Sequence, residues 1–453
     1  MGTQTTAKYS SQEDAQSRLT RRHRIFKLTS NDTSTNTPKA LRVTTHGIKE
    51  KHLDANALKV IAELNANGFQ AFLVGGCVRD ALCGERPKDF DVATNAPLEK
   101  ISKIFRRARI VGRRFPIVHV RYGRDLIEVS TFRQSMSDNV VHDQQGMILR
   151  DNAFGTLQED AFRRDFSVNA LYYDPNTNEI IDYVGGLKDI EGKRLRFIGE
   201  TKVRLAEDPV RLLRALRFGE KLGFTVEKKI LALVDDTAKR LDAVPPARLF
   251  DEFLKLFLNG YGEKIWRKMR DTKLAGALFP SCNPQSPLVL AAMRNTDERI
   301  RGGASITPGF LVAVLLWEDF CARKNEWQPG DEDAAFMTLK DQQSYVAVPR
   351  RFGSFAREVW MTQDRLINRS PKAIERVSTH KRFRAGYDFL CLRAESELAL
   401  QACAEWWTDY QTADPENKQK MIQTLPRDAK KKRRKKRASK PKESASSAQQ
   451  TLS

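Results

Sequence analysis

The sequence predicts an α+β protein: an N-terminal head with a small mixed sheet, then an all-helical body and a disordered basic tail. Three observations carry that reading. Short β-patterned runs cluster before residue 200, and apolar residues recur at helical spacing from Asp208 to about 425. Residues 427–442 then hold eleven basic side chains against one acid, Asp428, a block too charged to pack.

Each element follows from its residues in turn. Residues 1–50 are rich in Ser, Thr, Asn and Gln, with one basic cluster at Arg18–Lys27, and read as a flexible arm. Leu58, Ile61 and Leu64 make a helical stripe, Asn67-Gly68 breaks it, and Phe69–Val74 reads as a buried strand. Lys88–Val92 has strand alternation. Further strands are expected at Ile117–Tyr122 and Asp125–Phe132, joined by a turn at Gly123-Arg124, and at Leu171–Tyr173 and Ile180–Tyr183. The head therefore spans 51–200. A helical neck follows over 201–280, with Leu249, Phe253, Leu256 and Phe257 on one face. The proline-rich stretch Pro280–Pro287 separates it from a helical body over 281–425, where Leu398, Ala402 and Trp406 form another apolar stripe, and the basic tail is 426–453.

Composition narrows the class. The 453 residues have room for roughly three compact units, and 40% hydrophobic with 30% charged residues excludes collagen-like, wholly disordered and disulfide-scaffold proteins. The longest apolar run, Phe310–Trp317, is far short of the ~18 residues of a bilayer span, so no membrane span is expected. The first 28 residues lack the apolar core of a secretory signal, which points to the cytoplasm. The six cysteines show neither CxxC nor zinc spacing and are expected to be reduced. Net charge is +21, and the basic block supplies +10 of it, which suits RNA phosphates.

Four motifs carry chemistry. In Leu73-Val74-Gly75-Gly76-Cys77-Val78-Arg79-Asp80, a strand runs into paired glycines and a helix, a turn through which phosphate can approach backbone N–H groups. In Lys88-Asp89-Phe90-Asp91-Val92, a period-two strand puts both carboxylates on one face, roughly 6–7 Å apart for a rise of ~3.3 Å per residue. Such carboxylates repel unless cations lie between them, and two Mg²⁺ ions ~3.5–4 Å apart fit the gap. A third carboxylate has two candidates, Glu128 in an apolar strand and Asp165 beside Arg163 and Arg164. Spacing does not choose between them. In Glu207-Asp208-Pro209-Val210-Arg211 and onward, steps of three place Asp208, Arg211, Arg214 and Arg217 in one row, while Leu212, Leu213 and Leu216 bury the other side. Asp208 before Pro209 also suits an N-cap. Asp208 only accepts and Arg211 only donates, which complements an amine beside an unprotonated ring nitrogen; the pair admits adenine and cytosine and rejects guanine and uracil.

Gly75-Gly76-x-Val78-Arg79-Asp80, Asp89-x-Asp91, Arg163-Arg164-Asp165-x-x-x-Asn169 and Glu207-Asp208-x-x-Arg211 together resemble the class II nucleotidyltransferases, which include bacterial poly(A) polymerases and CCA-adding enzymes. Val111-Gly112-Arg113-Arg114-Phe115, Arg150–Thr156 and Arg382–Leu390 look more like the poly(A) polymerases. The resemblance covers about residues 55–425. It implies a nucleotidyltransferase head in which Asp89, Asp91 and Asp165 are the catalytic carboxylates and Asp89 and Asp91 hold the metals. By the same resemblance, Gly75, Gly76, Arg79, Arg164, Asp208, Arg211, Arg214 and Arg217 contact the nucleotide. The implied activity is template-independent addition of AMP from ATP to RNA 3′ ends with two Mg²⁺ ions. A CCA-adding tRNA nucleotidyltransferase and a non-catalytic RNA-binding protein are the alternatives. RNA 3′ ends and ATP are the implied partners, with RNA-decay proteins as a further one. Cys77 departs from the small residue common in such loops, which raises thiol sensitivity.

Overall fold

The computed structural model describes residues 39–112, 116–134, 141–142, 148–150, 154–327 and 330–425. The basic tail, residues 1–38, Arg113-Arg114-Phe115 and Asp151-Asn152-Ala153 lie outside the described residues. The chain divides into two compact units at Trp360/Met361, inside the helical body expected over 281–425.

The first unit opens with β1 (Leu41–Val43), α1 (Ala55–Ala66), β2 (Ala71–Val74), α2 (Gly76–Leu82), β3 (Asp91–Thr94), α3 (Leu98–Ile104), β4 (Ala108–Val111), β5 (Ile117–Tyr122) and β6 (Asp125–Thr131). A separate two-stranded ribbon, β7 (Val141–His142) with β8 (Ile148–Arg150), and α4 (Leu157–Arg163) precede β9 (Leu171–Asp174) and β10 (Glu179–Asp182). The main sheet runs β1-β10-β9-β2-β3-β6-β5-β4 and is antiparallel except between β3 and β6. The mixed sheet is thus larger than expected. Residues 41–43, assigned to the flexible arm, pair with β10, burying Val43 and joining Arg42 to Glu179 at 2.9 Å. A three-residue strand is too short to show a period.

Both sheet faces are apolar. Val60, Ile61 and Leu64 of α1 pack with Val92, Val118 and Val129 on one side; Phe72, Val74, Phe132 and Tyr172 pack with Ala161 of α4 on the other. After the sheet come α5 (Gly186–Glu191), α6 (Thr201–Glu207), α7 (Val210–Leu222) and α8 (Pro246–Phe257). Leu212, Leu213 and Leu216 of α7 are buried while Arg211, Arg214 and Arg217 are half-buried, the predicted division of faces. Leu249, Phe253, Leu256 and Phe257 of α8 are buried as read from their spacing.

In the second unit, α9 (Pro371–Ser378), α10 (Phe383–Ala394), α11 (Gln401–Thr412) and α12 (Pro415–Gln423) follow one another. The apolar stripe expected at Leu398, Ala402 and Trp406 is not its inner face. Leu398 is 74% exposed, and the core is made by Leu400, Cys403, Ala404 and Trp407, one residue round the helix. Trp407 wins because its indole N–H reaches the Leu366 carbonyl at 2.8 Å, which satisfies the polar group of a large buried ring. Among the described residues no disulfide links the cysteines, and no helix is long and apolar enough to cross a membrane.

Candidate active site

Gly75 connects β2 to α2 with φ 81° and ψ −129°, a conformation that excludes other residues. A Cβ placed there would stand 3.7 Å from both Asp91 Oδ2 and Arg164 Nη1, so the glycine turn lies directly against an acid and a base. Sheet register explains the approach. Asp91 opens β3 opposite Val74 of β2 and is flanked on its other side by Glu128 of β6.

Asp89 sits before the strand rather than in it. Asp89 is exposed, Phe90 buried and Asp91 partly exposed, and the charge of Asp89 reaches Asp91. Burial first, and then the charges of Glu128 and Asp89, push the Asp91 carboxyl up to about 6, with Arg164 opposing. Arg79 opposes the shift as well, and His119 Nε2 lies 3.7 Å from Glu128 Oε1. Among the described residues no group of three or more acid, His or Cys side chains is placed to hold a metal ion. Of the two candidates for a third carboxylate, Glu128 is the one in register with Asp91.

Asp165 has other partners. Its Oδ2 accepts from Arg214 Nε at 2.8 Å, and its Oδ1 accepts from the Phe166 N–H at 2.8 Å and Asn169 Nδ2 at 3.3 Å. Burial opposes its charge, but Arg214 and these donors hold the carboxyl down at about 2. Arg164 is gripped by Asp160, at 3.0 Å through Nε and 2.9 Å through Nη2, and Nε also reaches the Tyr172 hydroxyl at 3.1 Å. Its Nη1 is left facing the glycine turn. Arg79 is 2% exposed, and Asn169 and Asp80 occupy its donors, so it braces the loop that carries Asp165. Gly76 starts α2 beside Arg79 Nη2.

The arginine row of α7 splits into distinct environments. Arg211 is held by Glu207 and the Arg204 carbonyl. Arg214 belongs to Asp165, whose charge is the main cause keeping its guanidinium more firmly protonated. Arg217 stacks 4.2 Å over Phe218, and no acceptor among the described residues reaches its buried Nε, which leaves it suited to an anion. Asp208, expected as an N-cap, lies one step before it; Pro209 takes that place and Asp208 Oδ1 accepts the Val210 N–H at 3.3 Å.

Three neighbours escaped the sequence reading. Arg248 of α8 forms a two-pronged pair with Asp208, at 3.0 and 2.6 Å. Arg204 donates to the Arg163 and Arg164 carbonyls at 2.6 Å each, and burial lowers its guanidinium to about 10. Asp160, buried among Arg163, Arg164 and Tyr172, orients Arg164. The Asp208–Arg248 pair spans 40 residues and has no local spacing signal; Asp160 precedes Arg164 by one helical turn, which was the available clue.

Residues 71–196 match the poly A polymerase head domain, 223–285 the "probable RNA and SrmB- binding site of polymerase A", and 323–441 the polymerase A arginine-rich C-terminus. The chain is 41% identical to Poly(A) polymerase I of Haemophilus influenzae over 83% of this chain and 88% of that one. The chain belongs to the poly(A) polymerase family of class II nucleotidyltransferases. Poly(A) polymerase I of Escherichia coli is 40% identical over 84% of this chain and 87% of its own. The CCA-adding enzyme of Enterococcus faecalis is 38% identical, over 45% of this chain and 48% of its own. Among solved structures, the Bacillus stearothermophilus CCA-adding enzyme in complex with CTP superposes with TM-score 0.54 and 23% identity, over 77% of this chain and 80% of that one. A CCA-adding enzyme in apo form II gives TM-score 0.58 at 18% identity, over 83% and 88%. These two share the fold.

Proposed function

We propose that this chain is a template-independent poly(A) polymerase that adds AMP from ATP to RNA 3′ ends. One observation carries the choice over CCA addition: the likeness to the poly(A) polymerases runs through 87–88% of their length, whereas that to the Enterococcus enzyme stops at 48%.

The residues divide the work. The Nη1 edge of Arg164 faces the glycine turn, Arg217 Nε is without an acceptor among the described residues, and the two guanidiniums gather the triphosphate. Asp89 and Asp91 would hold the Mg²⁺ ions, with substrate oxygens and water completing the shell; the ions would supply a lowered 3′-hydroxyl pKa and charge neutralisation on the leaving pyrophosphate. The 3′ oxygen attacks the α-phosphorus in line, forming the new P–O bond as the bond to pyrophosphate breaks; the hydroxyl proton passes to solvent or to a carboxylate. Arg214 and Asp165 fix the α7 row against the loop that ends at Asn169. Asp208, clamped by Arg248, and Arg211, clamped by Glu207, present a rigid acceptor and donor to the adenine amine and N1.

RNA is gripped mainly through phosphates by the helical segments and the basic block, so affinity falls steeply with salt. Contacts with RNA-decay proteins belong to the same reading, with 223–285 the segment to test by co-purification. The decisive experiment supplies purified protein, Mg²⁺ and an unstructured RNA with one nucleotide at a time. Long tails with ATP alone support the assignment. Addition of two C residues followed by one A overturns it in favour of CCA synthesis, and RNA binding with no extension overturns catalysis altogether.

A further inference from the structure

The second unit carries a feature that the polymerase site does not use. On α11, Trp406 and Tyr410 are one turn apart and stack on each other, with ring centroids 4.9 Å apart and planes 15° from parallel. Both remain partly exposed. Trp407, fully buried between them in sequence, meets Trp406 edge-on at 4.9 Å and Tyr410 at 5.4 Å, so the core holds the outer pair in a fixed pose. Neither the Trp406 indole N–H nor the Tyr410 hydroxyl finds a hydrogen-bond partner among the described residues.

Cations flank the pair. The Arg369 guanidinium lies 5.6 Å from the Trp406 ring and the Lys418 ammonium 5.6 Å from the Tyr410 ring. Arg369 holds its place with φ 45°, a left-handed backbone that a residue with a side chain seldom adopts. Lys418 comes from α12, a helix with no buried residue, and four positions after that helix ends, at Arg427, the stretch with eleven basic residues begins. Stacked rings with free polar edges, cations on both flanks and a polybasic continuation are the parts of a single-strand nucleic-acid site: bases stack, phosphates pair.

We propose that Trp406 and Tyr410, with Arg369 and Lys418, form a stacking site for single-stranded RNA in the second unit. It lies apart in sequence from the nucleotide-binding motifs and holds RNA already made or about to be extended. The inference rests on the polymerase reading for the identity of its ligand as RNA, but binding can be measured without ATP.

The test uses the full chain and fluorescein-labelled A20. Trp406→Leu is expected to weaken A20 binding roughly tenfold, in line with one base–aromatic stack, while leaving the slope of log affinity against log salt unchanged. Arg369→Gln is expected to reduce that slope by about one, the loss of one phosphate contact. Trp406→Phe retains binding. Ultraviolet cross-linking of wild-type protein to A20, mapped by peptide mass, is expected to label the peptide containing 406–410, a readout that needs no variant and survives any folding defect. Wild-type binding by Trp406→Leu, or a cross-link map without that peptide, overturns the proposal. So does binding of polyglutamate that is lost with Trp406→Leu, which would make the surface a reader of acidic polypeptide. Failure of the polymerase reading shows differently, as the absence of AMP addition with A20 binding and its Trp406 dependence intact.

Discussion

The Asp165–Arg214 pair offers a prediction whose size follows from the structure. Asp165 is held at about 2 against an ordinary carboxylate value of 3.8, so its charged form gains about 2 kcal/mol from folding. The folded value is the lower one. The stabilisation is therefore complete above the unfolded value and is lost as pH falls from about 4 through 2. Asp165→Asn removes that charge and leaves Arg214 half-buried beside a neutral amide, with an expected cost of about 3 kcal/mol at pH 7. Arg214→Gln should cost a similar amount, and the double variant clearly less than the sum, with a coupling of about 2 kcal/mol. Urea denaturation of the four proteins, followed by intrinsic fluorescence at pH 7 and then stepwise toward pH 3, measures both quantities. The gap between wild type and Asp165→Asn should narrow as the medium is acidified. Additive single-variant effects, or a gap independent of pH, would refute the assignment of Asp165 as Arg214's counterion.

Other expectations follow from neighbouring contacts. Asp91→Asn should lower kcat for AMP addition by at least about 10²-fold while RNA affinity in the absence of nucleotide is unchanged, as read by single-turnover extension and fluorescence anisotropy. Arg248→Ala frees Asp208 from its clamp and should cut the preference for ATP over GTP in kcat/KM by about tenfold, measured with each nucleotide alone. Cys77 is buried and its thiol is pushed up to about 12 by burial and then by Asp91, so iodoacetamide at pH 7.5 should leave it unmodified until denaturant is added. The thiol sensitivity suggested by its position in the glycine turn should thus be absent in the native protein.

Legibility followed range. The strands at Ile117–Tyr122 and Asp125–Thr131 and the divided face of α7 were readable because a two- or 3.6-residue period repeats several times within each. Leu41–Val43 and Ala108–Val111 were not, being three and four residues whose only reason for extension is the neighbouring strand. The Trp406 stripe misled because Trp406 and Trp407 are equally apolar in sequence, and only the carbonyl offered by Leu366 decides which one turns inward.

The chain alone determined the local vocabulary: a glycine turn after a strand, two acids two residues apart, an arginine row opposite a leucine face, and a polybasic end. These are local matters of backbone freedom, side-chain period and charge density, written within a dozen residues each. What tertiary structure decided was partnership. Glu128 came to Asp91 by strand pairing, Arg214 to Asp165 across 49 residues and Arg248 to Asp208 across 40. Charges find counterions according to which groups burial brings within reach, and that distance exists only once the chain has folded.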